Sequence, residues 1–181
     1  MSSLHYYVRL TLFNGKTVSI DGNQLFALDS FSVDDQQTLR IGSQSSGAGA
    51  GKVIFDPLHL SLEQPALQPQ LFQMLAAGTP FKEVDVLGYN NDGHLVEDYS
   101  FGTVAADQLS IDASGVTQVD LQYGAESIQH FTQLPDGSYP PTPDASAAWN
   151  AVQNRSGFPG GTLDPPLTLP SFYSDITPRL T

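Results

Sequence analysis

The chain has 181 residues and no cysteine, and its 19 acidic residues against seven basic ones leave a formal net charge of -12. That length points to one domain able to bury a core without staples, and the missing cysteines exclude disulfides and thiolate metal sites. A surface this acidic repels phosphate backbones and anionic membranes, so nucleic acid and lipid make poor partners. No apolar run approaches the roughly 18 residues that span a bilayer. The first residues, Met1 to Tyr7, lack the basic segment and apolar stretch of a secretory signal, so export would use a route without a cleaved peptide. The charged fraction is only 14%, which suits a protein whose faces are partly covered by copies of itself.

The first half of the chain reads as strands. Tyr6, Val8, Leu10 and Leu12 alternate with Tyr7, Arg9, Thr11 and Phe13, the period of a pleated strand. Asn14-Gly15 follows and predicts a hairpin in which both turn residues take positive φ, leading to a second strand over Lys16–Ile20. Leu25–Val33 reads as a third strand. From Gly42 to Gly51 no side chain can anchor a core, so a long exposed loop is expected. Lys52–Leu62 resumes strand character. Leu67, Leu71, Met74 and Leu75 then form one apolar stripe at helical spacing. Pro65 and Pro69 place the start of that helix near Ala66 to Pro69, and Gly78 ends it.

The remainder returns to strands: Phe81–Tyr89, His94–Leu109 and Val116–Gln133. They are joined by the turns Asn90-Asn91-Asp92-Gly93 and Asp112-Ala113-Ser114-Gly115. About seven strands and one helix make a mainly β protein, a small antiparallel β-barrel that is closed or nearly so, because closure removes sticky edges. Residues 135–181 hold most of the chain's 13 prolines. Ala145–Asn154 reads as a short helix or turn around Trp149. From Gly157 onward the Pro and Gly punctuation predicts a tail, giving a barrel domain over 1–156 and a tail over 157–181.

Motifs that carry chemistry fail on inspection. Gly47 to Lys52 approaches a phosphate loop, but Ser46 stands where the first Gly belongs and Val53 where the magnesium-binding Ser or Thr belongs. Asn90 to Gly93 hints at a calcium loop, yet the acid required five residues before the Gly is Gly88. His5, His59, His94 and His130 are too far apart in sequence for zinc spacing. No Gly-x-Ser-x-Gly elbow occurs. The pairs Asp34-Asp35 and Glu97-Asp98 are strand neighbours, which point to opposite faces. No cofactor and no catalytic set is expected, and the chain reads as a non-enzyme.

The order of elements is similar to that of the Hcp (haemolysin-coregulated protein) family of type VI secretion systems. Leu28-Asp29-Ser30-Phe31-Ser32 resembles the family's aromatic strand before its long loop. Ser46 to Lys52, running into Val53-Ile54-Phe55-Asp56-Pro57-Leu58, resembles the loop exit. Pro65 to Gly78 resembles the single helix, and Trp149-Asn150 with Gln153-Asn154 resembles the close of the family's domain. The loop lacks the family's usual His, and the chain runs past the usual end from Gly157 to Thr181.

The resemblance implies a structural tube subunit: a homohexameric ring that stacks on other rings, engages a spike protein and a sheath, and carries effector cargo in its lumen. It would be cytoplasmic before assembly and then secreted. By the same resemblance Gly42, Ser43, Gln44, Ser45, Ser46, Gly47, Ala48 and Gly49 would reach an adjacent ring or subunit, and Ser30 and Ser32 would lie near the lumen. Ordering ten such loop residues costs about 10 to 20 kcal/mol, which contacts with a neighbour could offset. Trp149 is expected to be buried against the barrel, closing its end. The competing readings are a stand-alone barrel that binds carbohydrate or peptide, and a hydrolytic effector, for which no nucleophile, base and oxyanion donor assemble.

Overall fold

The computed structural model describes residues 3–37, 53–62 and 64–159. Alternation in the first strand sets the pattern for the rest. In β1 (His5–Leu12), Val8 and Leu10 point into one core while Tyr7 and Arg9 point to the other face. The chain continues through β2 (Phe26–Ser32), β3 (Asp35–Gln37), β4 (Val53–Phe55) and β5 (Leu58–Leu62). A 3-10 turn at Pro65–Leu67 leads into α1 (Gln68–Ala77). Then come β6 (Phe81–Tyr89), β7 (Leu95–Ile111), β8 (Thr117–Gln122), β9 (Ala125–His130), β10 (Ala145–Asn150) and β11 (Arg155–Ser156).

Six of these strands close on themselves in the order β1-β2-β5-β8-β7-β6 and back to β1, all antiparallel. The seventeen residues of β7 make closure possible. Its first part pairs with β6, and its last part, from Ala105, pairs with β8. The first part also pairs with β9 on its other edge, so β9, β10 and β11 extend the sheet outside the ring. The barrel interior is apolar, with Phe26, Leu58, Phe81, Val84, Phe101 and Val104 almost wholly buried. Leu67 of the 3-10 turn and Leu71 of α1 seal the interior against Leu10, Leu60, Phe81 and Val119. Burying each leucine contributes about 1.5–3 kcal/mol. The helix ends at Gly78 in the left-handed conformation, whose N–H is satisfied by the carbonyls of Leu75 and Met74.

Four connections share one geometry. At 12–16, 90–94, 112–116 and 134–138 the first and fifth residues are hydrogen-bonded, the fourth is a Gly at positive φ, and its N–H returns to the first residue's carbonyl. Asn14, Asp112 and Asp136 carboxyl or amide oxygens, and that of Asn90, accept backbone N–H groups within these turns. Only the Gly takes positive φ, so the Asn14-Gly15 turn is the three-residue type rather than the two-residue type expected.

Other expectations also change. Lys16–Ile20 is not a strand: it makes only isolated bridges at Thr17 and Ile20, because Asp21-Gly22 turns the chain away. Lys52–Leu62 is broken at Asp56-Pro57, where proline cannot donate to a ladder. Val116–Gln133 is two strands, β8 and β9, which follow one another along β7 in a single antiparallel register and are interrupted only at Tyr123-Gly124. Ala145–Asn154 is no helix: β9 captures its first six residues as β10, and a turn follows.

Candidate functional site

The closed ring has a polar outer wall. Leu58, Leu60, Leu62, Val119 and Leu121 point inward, so the alternate residues of β5 and β8 must point out. Register aligns them into rows across four strands. Ser30, Ser61, Gln118 and Ser110 form one row; Ser32, His59, Asp120 and Gln108 form the next. Every one of these side chains is exposed or half-exposed. In the second row His59 Nδ1 lies 2.6 Å from Asp120 Oδ1. Ser30 and Ser32 therefore stand on a smooth wall of small polar groups rather than in a pocket.

The part of the sheet that extends beyond the ring carries an edge. β10 pairs with β9 along its whole length, but β11 covers only Trp149 and Asn150. Within the described residues, Ala145-Ser146-Ala147 has no strand partner on the far side. This edge has none of the charges, prolines or bulges that protect edges from pairing with another chain. Ile128, 41% exposed, lies directly across from Ala147 and adds apolar surface beside the edge.

Trp149 lies on β10, outside the six-strand ring, and is half-buried rather than closing the barrel end. Its Nε1 is buried without a hydrogen-bond partner. Gly42 to Gly49 fall outside the described residues; the strands that flank them, β3 and β4, form a separate two-stranded sheet.

A buried charge cluster lies on the second face of β1, β6 and β7. Arg9 Nε donates to Asp85 Oδ2 at 2.8 Å, with Asp85 fully buried and Arg9 nearly so. Asp98 accepts from Ser100 Oγ at 3.1 Å. Burial pushes the Asp98 carboxyl up to about 7, helped by the charge of Asp85. Burial, then Asp85, pushes Glu83 up to about 8. Burial works to lower the Arg9 pKa, and the charge and hydrogen bond of Asp85 outweigh it. Beside this cluster, Phe131 and Tyr139 from the Pro-rich stretch pack on Tyr7, Leu87 and Tyr89 as a second core.

The sequence reading missed the His59–Asp120 pair, the β10 edge and the Arg9 cluster. The first needed the β5–β8 register. The last was signalled by Arg9 and Asp85 inside alternating apolar strands, on the face that alternation alone assigns to solvent. Among the described residues no group of three or more His, Asp or Glu side chains is arranged to hold a metal ion. No helix among them is long and apolar enough to cross a membrane.

No sequence-family model and no curated protein sequence matches the chain. Solved structures do. A type six secretion system protein superposes with a TM-score of 0.68 at 16% identity, covering 86% of this chain and 100% of that one. Hcp1 from Salmonella typhimurium gives 0.57 at 14% identity, covering 86% and 99%. Hcp3 from Pseudomonas aeruginosa gives 0.56 at 12% identity, covering 80% and 98%. The chain thus has the class of fold the sequence pattern implied, a mainly β closed barrel with one helix. More particularly, it is the Hcp-like barrel.

Proposed function

We propose that the chain is a structural ring subunit of a type VI secretion tube, closing as a homohexamer and stacking on further rings. The observation that carries this reading is the unprotected edge of β10 beside Ile128, on a barrel that otherwise has no open edge in its six-strand ring. An edge of Ala and Ser offers backbone N–H and C=O groups to another chain with little side-chain obstruction. The likeness to Hcp structures supports the same reading. So does the wall of Ser30, Ser32, Ser61, Gln108, Ser110 and Gln118, which fits a lumen through which folded cargo must slide without sticking. On this reading Gly42 to Gly49 reach an adjacent ring, and the spike and sheath of the apparatus are the outer partners. The subunit is made in the cytoplasm and leaves the cell as part of the tube.

The role is mechanical rather than catalytic. The His59–Asp120 pair sits on an open wall where strand N–H groups are engaged in ladder hydrogen bonds. Native mass spectrometry and negative-stain microscopy test the proposal. Particles of about six subunits, seen as annuli, are expected. A lone folded subunit persisting at millimolar concentration, with no annuli in any preparation, overturns it.

A further inference from the structure

The β3–β4 hairpin is held to the barrel by very little. It pairs over three residues per strand, Asp35 with Phe55, Gln36 with Ile54 and Gln37 with Val53, and it belongs to neither edge of the main sheet. A two-stranded ribbon this short is not stable by itself, so its tethers decide whether it stays docked. One tether is apolar. The Phe55 ring stacks on Tyr123 with centroids 5.0 Å apart, and Tyr123 meets the edge of Phe101 at 4.8 Å.

The other tether is polar and short of a hydrogen. Tyr123 Oη lies 3.4 Å from Asp35 Oδ1 and 3.3 Å from Glu126 Oε2. One hydroxyl carries one hydrogen, so it can donate to only one of the two carboxyl groups. The Asp35 and Glu126 carboxyl groups are themselves within hydrogen-bonding reach of each other. Glu126 is 4% exposed, and its Oε1 is buried with no donor. Two carboxylates and one hydroxyl leave acceptors facing acceptors. One added proton supplies a second hydrogen, so that the hydroxyl can donate to one carboxyl group while the carboxyl groups share the other hydrogen. Asp35 is exposed and Glu126 is buried, so the proton belongs on Glu126.

We propose that Asp35 and Glu126 share a single proton and that this proton clasps the β3–β4 hairpin to the barrel, so that its loss lets the hairpin undock. The surroundings agree. Burial pushes the Glu126 carboxyl up from 4.5 to about 7, and the charge and hydrogen bond of Asp35 push the same way, against the hydrogen bond from Tyr123. The titratable groups that face Glu126 are Asp35 from β3, Tyr123 from the β8–β9 turn and Tyr99 from β7. From β10 its cross-strand neighbour is Trp149, which does not titrate. Among the described residues no cation is one of the groups that bear on it.

The sign follows from the raised value. The docked state binds the proton more tightly than the undocked state, so the clasp is complete below about 4.5 and is lost as pH rises to about 7. The clasp is a property of the single chain. Only its consequence, a pH-dependent root for the segment that would reach a neighbouring ring, rests on the tube reading.

Hydrogen exchange of the full chain from pH 4 to 8.5, corrected for intrinsic rates, tests it. Protection of the hairpin amides in 35–37 and 53–55 is expected to fall by about tenfold per pH unit between about 4.5 and 7, then level off. Protection in β6 should not follow that curve. Glu126→Gln, neutral at every pH, should keep the hairpin docked throughout. Asp35→Asn, which leaves the buried residue in place, should move the levelling-off point to lower pH.

Hairpin protection that is flat with pH in the natural chain overturns the clasp, as does an unchanged curve in Asp35→Asn. Dependence on added calcium at fixed pH also overturns it, by putting a cation where the proton is placed. A monomer with a pH-dependent hairpin would defeat the tube reading alone; annuli with a pH-independent hairpin would defeat the clasp alone.

Discussion

Two buried acidic clusters lie on opposite faces of one strand, and they solve the same problem differently. On β7, Ser100 points to the Arg9 cluster while Phe101 points to Tyr123 and the Asp35–Glu126 pair. In the first cluster a guanidinium meets one carboxylate, Asp85, at 2.8 Å. The remaining acids there, Glu83 and Asp98, are pushed up to about 8 and about 7. In the second cluster there is no guanidinium among the described residues, and a proton does what the cation does. A buried guanidinium keeps its own charge throughout the range in which carboxyl groups titrate. A shared proton makes a tie that the solvent can remove. The first cluster sits inside the barrel wall, between β1, β6 and β7, where nothing needs to move. The second sits where a three-residue ribbon meets the barrel.

Removing a partner from each cluster should separate them most sharply. Arg9→Met keeps the side-chain volume and leaves Asp85 charged, fully buried and unpaired. The expected cost is about 3–5 kcal/mol, read as a lower midpoint in urea unfolding. Asp35→Asn at pH 6 alters an exposed residue and should change global stability by less than about 1 kcal/mol. Equal losses from the two substitutions would mean that both clusters hold the fold in the same way, and the comparison would collapse.

A separate effect is expected from pH alone. Glu83, Asp98 and Glu126 all titrate higher in the folded chain than their ordinary values of 4.5, 3.8 and 4.5. Acids raised by folding stabilise the folded state fully below their unfolded values and lose that contribution as pH climbs through the folded ones. The melting temperature should therefore decline from pH 5 to pH 8.5. Replacing Glu83 with Gln should flatten the upper end of the decline, near pH 8, and Glu126→Gln the part that ends near pH 7. A melting temperature that stays flat across this range would show that these acids are already ionised in the folded chain at pH 5.

These clusters also mark where the sequence stops being readable. The turns at 90–94 and 112–116 announce themselves, because Asn or Asp at the first position and Gly at the fourth supply an acceptor and a positive φ locally. Helix α1 is equally legible from the Leu67–Leu71 stripe and Gly78. Strand partners are not local. Nothing within Leu58–Leu62 says that it lies between β2 and β8, so the wall that unites Ser30, Ser61 and Gln118 appears only once register is known. Ala145-Ser146-Ala147-Ala148 favours helix by intrinsic propensity, and pairing with β9 overrides it. Arg9 and Asp85 read as solvent-facing from alternation. Their burial comes from the face they share across three neighbouring strands, which no window of sequence contains.

The smallest effect concerns the hinge between the clusters. Thr103 sits at φ 54, a β-branched residue in the left-handed region, which costs about 1–3 kcal/mol. It marks where β7 changes partners: Gly102 is its last residue paired to β9, and Ala105 its first paired to β8. The strand must bend there to serve the sheet extension and the barrel in turn, and the neighbouring Gly102 and Gly124 backbones are tied by a hydrogen bond of 3.0 Å. Thr103 is exposed, so its side chain gives little in return. Asparagine tolerates this conformation better than a β-branched residue does. Thr103→Asn should stabilise the chain by about 0.5–1 kcal/mol in thermal unfolding, without moving either acid cluster's titration. Thr103→Val, which keeps the branching, should give no gain. If both substitutions destabilise equally, the threonine hydroxyl holds the bend, and the two clusters are coupled through it rather than independent.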